Sequence, residues 1–410
     1  MEPHCAGHAA VHKRGYSAAM NVPLILLTIC QGLFLTNNVT FIAINGLVGL
    51  NIAPSHWMAT LPVMGYVVGG ALSTPFVARH QLAWGRKRAF QAGLLVAIAS
   101  TATCAYASVT GNFWLLVAAT MVAGYYNANA GLYRFAATEI VQPAFKERAI
   151  SWVLAGGIIG AVTGPNLASA TKDILPAAFA GAYVALVLVA LLSMAVISFI
   201  DFPPLPRPSA AKPSRTLGEI ARQPVFIVSV IACSLGFGVM NLLMAATPIA
   251  MSQCSHPFKS AALVLEWHVL GMFVPSFFTG SLIKRFGVMP VMSCGVVLYA
   301  VCIAVALSGV DLMHFLAALF TLGVGWNFLY VGGTTLFTQA YRPEEKTTAQ
   351  AAMDFCVFTT TAITSFASGA LVTSGGWTWM NFGTIAPVVG IALALVWLHV
   401  QRRAAPLAGA

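Results

Sequence analysis

Four side chains in two neighbouring apolar stretches carry the softest metal chemistry in the chain: Met240 and Met244, then His268 and Met272. Each pair is spaced four residues apart, so on a helix its members share a face, with a rise of about 6 Å between them. The stretches cover 224–252 and 260–283, and each is long enough to cross a bilayer. The turn Cys254-Ser255-His256-Pro257-Phe258-Lys259 joins them and predicts antiparallel neighbours. Folding about residue 256 sets Met240 level with Met272, and Met244 level with His268. If the two faces meet or line one cavity, they form two rungs of three thioethers and one imidazole. Thioether sulfur is soft and neutral and selects Cu(I) over hard cations; imidazole also accepts copper. Methionine on a membrane helix equally serves as packing filler. A histidine deep in hydrocarbon is costly, and that favours a functional role. Cys233 and Cys254 flank the methionine pair and His256 sits in the turn, which makes them candidate accessory ligands. The cysteines read equally as small buried hydrophobes.

The elements that must position these residues are membrane spans. The chain is 59% hydrophobic and 8% charged, which no soluble globular protein of 410 residues shows. Apolar runs at 22–44, 56–78, 89–109, 112–138, 150–171, 176–200, 224–252, 260–283, 288–308, 311–338, 350–373 and 377–400 predict twelve spans. Alternate loops and both termini collect 18 of the 21 basic residues, so the positive-inside rule puts both termini in the cytoplasm. The same distribution argues against a nucleic-acid partner for the net charge of +10. The first nineteen residues are polar or mixed, so no cleaved signal is expected; His4, Cys5, His8 and His12 there are an incidental or metal-binding cluster. Residues 201–223 are rich in proline and charge and read as a cytoplasmic linker between two six-helix bundles, 1–200 and 224–410. Asn127, Pro143, Lys146 and Ala149 recur as Asn327, Pro343, Lys346 and Ala349, each 200 residues on, which predicts that the halves repeat. The expected fold is an all-α membrane protein of twelve helices in two pseudo-symmetric bundles, with a midplane site between them.

Ions inside the bilayer are expensive and are normally paired or set in a cavity. Arg134 and Asp354 fall at comparable depth in opposite halves, so they form either an inter-half gate pair or a snorkelling arginine beside a lone carboxyl. Glu266 is two residues from His268 and so lies off its face, where it would draw cations toward the outer mouth. The eight scattered cysteines form neither a disulfide framework nor a zinc cage. No nucleophile–base pair or nucleotide loop points to an enzyme, and no cofactor is expected.

The paired Met-x-x-x-Met and His-x-x-x-Met motifs on consecutive spans resemble the CcoA-type copper importers (CalT group) of the major facilitator superfamily. Gly280-Ser281-Leu282-Ile283-Lys284-Arg285-Phe286-Gly287 and Trp84-Gly85-Arg86-Lys87-Arg88 are similar to that superfamily's basic loop motif, with Lys284 where the acidic residue belongs. Gly160-Ala161-Val162-Thr163-Gly164-Pro165 resembles its G-x-x-x-G-P motif, and reads equally as a packing seam. The resemblance implies an importer of the bacterial inner membrane moving a copper ion or small copper complex to a cytoplasmic acceptor for haem–copper oxidase assembly. Two rival readings stand beside it. One is an organic-solute carrier, for vitamin-like uptake or proton-coupled drug efflux, with Tyr125, Tyr126, Tyr133, Trp326 and Tyr330 stacking on a planar solute or simply packing. The other is a metal-binding assembly factor that transports nothing.

Overall fold

The computed structural model describes residues 21–142, 145–204, 215–342 and 345–404. Among them every regular element is a helix, as apolar runs in a bilayer require, because backbone polar groups there must be satisfied within the segment. Span one is Val22–Ile52; Asn21 caps it by accepting the Leu24 amide (2.9 Å) and donates its own amide to the Ile140 carbonyl (2.8 Å). Spans two and three lie in Leu61–Thr110, broken at Gly85. Span four is Phe113–Ala130, continued by Tyr133–Ala137. Span five joins Lys146–Ala155 to Gly157–Thr171, and span six is Ala180–Ser198. After the short linker helix Leu217–Ala221 come span seven, Pro224–Gln253, and span eight, Phe258–Phe273 with Ser276–Phe286, bent by 41°. Val288–Ser308 and Leu312–Phe337 are spans nine and ten. Lys346–Ala404 holds spans eleven and twelve, broken at Gly376. Span four, with Tyr125, Tyr126, Asn127 and Asn129, is the one whose hydropathy alone would not mark it as crossing.

Small residues decide which helices touch. A Cβ on Gly69 would meet the Met121 carbonyl, and one on Gly124 the Gly70 amide, so spans two and four approach at backbone distance. The Gly160–Pro165 motif does the same for span five against span one. Gly160 lies on Leu35, Thr40 Oγ1 donates to the Gly164 carbonyl (2.9 Å), and the Thr36 and Thr163 hydroxyls bond each other. In the second half, Gly271 and Gly323 bring spans eight and ten together, and Gly295 and Gly325 bring nine and ten together.

These seams correct the hairpin expected of spans seven and eight. Span eight packs chiefly on spans ten and five, span seven on eleven and ten, and the two touch each other lightly. Their shared turn ties only their ends; facing glycines on other helices set the rest.

The repeat also shows in the backbone. Gly85 (φ 78°, ψ 167°) and Gly287 (φ 90°, ψ 161°) make the corresponding turns after spans two and eight in the same left-handed conformation. Only glycine takes it without strain.

Candidate functional site

The four proposed copper ligands are all interior: Met240, Met244, His268 and Met272 are 3%, 4%, 0% and 8% exposed. The three methionines belong to one continuous apolar cluster. His268 turns toward span ten, where Nδ1–H donates to the Leu319 carbonyl (2.7 Å). That bond leaves Nε2 as the lone-pair nitrogen, buried without a partner. Asn327 holds the same face from span ten, donating to the Met272 carbonyl (2.7 Å) and Ser276 Oγ (2.6 Å) while accepting from Thr279 (2.6 Å). Among the described residues no three histidine, cysteine or carboxylate side chains cluster as a metal cage.

The accessory candidates are dispersed. Cys233 is buried under Gly333 of span ten, and Cys254 is half-buried at the end of span seven. His256 donates from Nε2 to the Val310 carbonyl (2.8 Å) with its ring edge-on to Phe315, so it ties two loops together. His4, Cys5, His8 and His12 lie outside the described residues.

A second constellation is built from aromatic rings where spans seven, eight and ten meet. Trp326 and Tyr330, four apart on one helix face, stack with centroids 5.0 Å apart at 9°. Phe237 stands edge-on to both, at 5.6 and 5.8 Å, and Phe273 approaches Trp326 at 6.5 Å. Phe237, Phe273 and Tyr330 are half-buried, so the box keeps an open side. Trp326 Nε1–H is buried and has no acceptor. An unpaired donor inside a ring of apolar faces suits a flat ligand with carbonyl or ring-nitrogen acceptors.

Arg134 and Asp354 border this box without forming an ion pair. The Arg134 guanidinium lies over Phe135 (4.9 Å), and its Nε is buried without a partner. Its charge nevertheless reaches both Tyr330 and Asp354. The inter-half contact expected between them is therefore not made in this conformation.

Of the five aromatic candidates, Trp326 and Tyr330 form the platform. Tyr126 packs edge-on to Phe34 (5.6 Å) and Tyr133 against Phe90 (4.8 Å), both inside the first bundle. The Tyr125 hydroxyl bonds His80 Nδ1 (2.7 Å), whose ring stacks on Trp84. Sequence reasoning missed Phe237 and Phe273, although Cys233, Phe237, Met240 and Met244 fall on one helical stripe. It also missed Asn38, which donates to Tyr66 Oη and Asn127 Oδ1 (3.3 Å each); an asparagine inside an apolar span was the available signal.

The halves are clamped at the end poor in basic residues. Thr60 Oγ1 accepts the Gly369 amide (2.9 Å), Trp57 meets Phe366, Phe179 meets Phe258 (4.9 Å), and Asn166 donates to Glu266 (2.8 Å). Glu266 thus serves as an inter-half tie. Among the described residues, the ion pairs at the basic end run within a half or from residues 201–223. Arg86 binds Glu139 (2.6 Å), and Arg215 binds Glu345 (2.7 Å). Glu345 accepts Arg215 Nε (2.8 Å) and Nη2 and the amides of Arg215 (3.1 Å) and Arg342 (2.9 Å), which holds its carboxyl down at about 2.

Comparison with known proteins narrows what this arrangement serves. The chain is 38% identical to the riboflavin transporter RfnT of Brucella anthropi, over 93% of this chain and 96% of that one. It is 24% identical to the MFS-type transporter YdeG of Bacillus subtilis, over 87% of each. Among solved structures, the nucleoside transporter NupG superposes with a TM-score of 0.75 at 12% identity, covering 91% of this chain and 99% of that one. A bacterial metal transporter gives 0.67 at 12%, covering 92% and 98%. At such identity these two speak for the fold alone. None of these relatives upholds the resemblance to copper importers in particular; the wider resemblance stands. The Major Facilitator Superfamily profile matches residues 24–266 and 242–409, and the chain belongs to that superfamily of membrane transporters.

Proposed function

We propose that this protein is a secondary carrier of a planar heteroaromatic solute of flavin type, moved inward across the bacterial inner membrane by alternating access. The observation that carries the reading is the Trp326–Tyr330 stack, walled by Phe237 and Phe273, with the Trp326 Nε1–H unpaired. The name of the 38% identical relative supports the same solute class. A flavin offers a fused apolar face for the stack, carbonyl and ring-nitrogen acceptors for Trp326 and Arg134, and imide and hydroxyl donors for Asp354. With the basic end open and the opposite end clamped, the box is in the state that releases solute to the cytoplasm or awaits the return step. The test is uptake of radiolabelled riboflavin by vesicles carrying the purified protein. Saturable uptake that Trp326→Leu weakens supports the proposal; uptake no greater than in empty vesicles overturns it.

Copper transport remains a second reading because of one observation, the unpartnered Nε2 of His268 in the protein interior. Donation of the other ring N–H to a backbone carbonyl is how metal-binding imidazoles are commonly oriented. On this reading Met240→Leu with Met272→Leu, nearly isosteric, lowers copper accumulation and spares riboflavin uptake. Silver competes with copper while zinc and manganese do not. Equal accumulation by wild type and the double variant removes the reading.

A further inference from the structure

A groove of about 500 Å³ runs along the outside of the second bundle, between spans nine and twelve. Met289, Ser293 and Val297 line one wall, and Ala392, Val396 and His399 the other. The two spans are antiparallel, so Met289 and His399 stand at the basic end and Val297 and Ala392 near the middle of the bilayer. The eight residues from Met289 to Val297 give a length of about 12 Å. Val297 and Val396 are 60% and 59% exposed, so the groove opens to lipid and is separate from the aromatic box.

Its mouth is cationic. Lys284 and Arg285, both exposed, lead into the turn before Met289, and Arg402 and Arg403, also exposed, follow His399 by about one helical turn. Neither span nor that turn carries a carboxylate. Arg402 donates to Gln339 (2.9 Å), an uncharged partner that leaves its charge uncompensated. An apolar slot ending in positive charge at the headgroup level complements an acyl chain attached to a phosphate. A zwitterionic lipid would fill the slot equally well and leave the cations unmatched.

We propose that this groove is a binding site for an anionic phospholipid, with one acyl chain between spans nine and twelve and its phosphate at His399, Arg403 and the Lys284–Arg285 turn. Span nine packs on span ten, which carries Trp326 and Tyr330, so the bound lipid buttresses the helix that holds the solute platform.

The test uses the full chain, reconstituted in equimolar phosphatidylglycerol and phosphatidylcholine, re-extracted in detergent and weighed by native mass spectrometry. Wild type is expected to retain phosphatidylglycerol several-fold over phosphatidylcholine. Ala392→Phe, which fills the slot, and His399→Gln with Arg403→Gln, which strips the mouth, should each return the ratio to that of the bulk lipid. Equal retention of both lipids by wild type overturns the proposal. So does a preference that survives Ala392→Phe, since the site would then be a headgroup patch without a groove. Should Ala392→Phe fail to fold, Ser293→Leu fills the same slot and decides the matter in its place.

Discussion

At the scale of single residues, two constellations compete for the centre of the second bundle, and their chemistry separates them. On the proposed reading Trp326 offers the solute a face and one N–H. Trp326→Phe keeps the stack and removes the donor, so it should lose about 1 kcal/mol, roughly a fivefold rise in KM for flavin uptake. Trp326→Leu removes the stack as well, and should raise KM roughly tenfold or more on the scale of about 1–3 kcal/mol for base–aromatic stacking. Tyr126→Phe is the control. Its ring packs on Phe34 inside the first bundle, away from the box, so KM should stay at the wild-type value in the same assay. The methionines were conspicuous in the sequence because thioether pairs at helical spacing have a recognisable ligand chemistry. The box was half-legible, since Trp326 and Tyr330 lie four apart but nothing local reveals that Phe237 and Phe273 close around them.

At the scale of elements, close helix approach and one linker tie bear most of the testable structure. A Cβ on Gly69 has no room beside the Met121 carbonyl, so Gly69→Ala should destabilise by about 1–3 kcal/mol or more, read as a lowered unfolding temperature in detergent. Gly287→Ala has open space by comparison but must adopt φ 90°, and should cost about 1–3 kcal/mol through backbone strain alone. The Arg215–Glu345 tie responds to acid. Hydrogen bonds from Arg215 lower the Glu345 carboxyl from 4.5 to about 2, so its contribution is present above pH 4.5 and fades as pH falls toward 2. Protease nicking near Arg215 should therefore be flat from pH 5 to 8 and unchanged by any pH that drives transport; Glu345→Gln should raise it throughout that range.

At the scale of the whole molecule, the two bundles are clamped at one end and, among the described residues, share no ion pair at the other, and transport requires the reverse arrangement to be reachable. A Cβ at Gly369 would stand 3.1 Å from that of Thr60, shorter than the roughly 3.5–4.5 Å a disulfide spans, so a bridge there needs the two helices to ease apart by about half an ångström. Thr60→Cys with Gly369→Cys should cross-link on oxidation and stop uptake, with recovery on reduction; full uptake by the cross-linked pair would contradict a moving clamp. Arg134 and Asp354 are apart here. If they pair in the opposite state, a double-mutant cycle of Arg134→Gln and Asp354→Asn should show coupling in transport rate and little in the stability of the conformation seen here. Additive transport losses would leave Asp354 as a solute ligand or lone protonation site.

The amino-acid sequence by itself determined the membrane class, the twelve spans and the paired bundles, because hydrophobic length and loop charge are local properties that a bilayer reads directly. It also marked Arg134, Asp354 and His268 as special, since an ionisable group in hydrocarbon is conspicuous wherever it points. Tertiary structure alone decided which faces meet. Span eight carries His268 onto span ten rather than onto its neighbour in sequence, because Gly271 and Gly323 admit the backbone of one helix to the other. The aromatic box follows from that choice. Helix neighbours in a bilayer are selected by close packing between residues remote in the chain, where hydrophobicity is the same on every side and favours no partner.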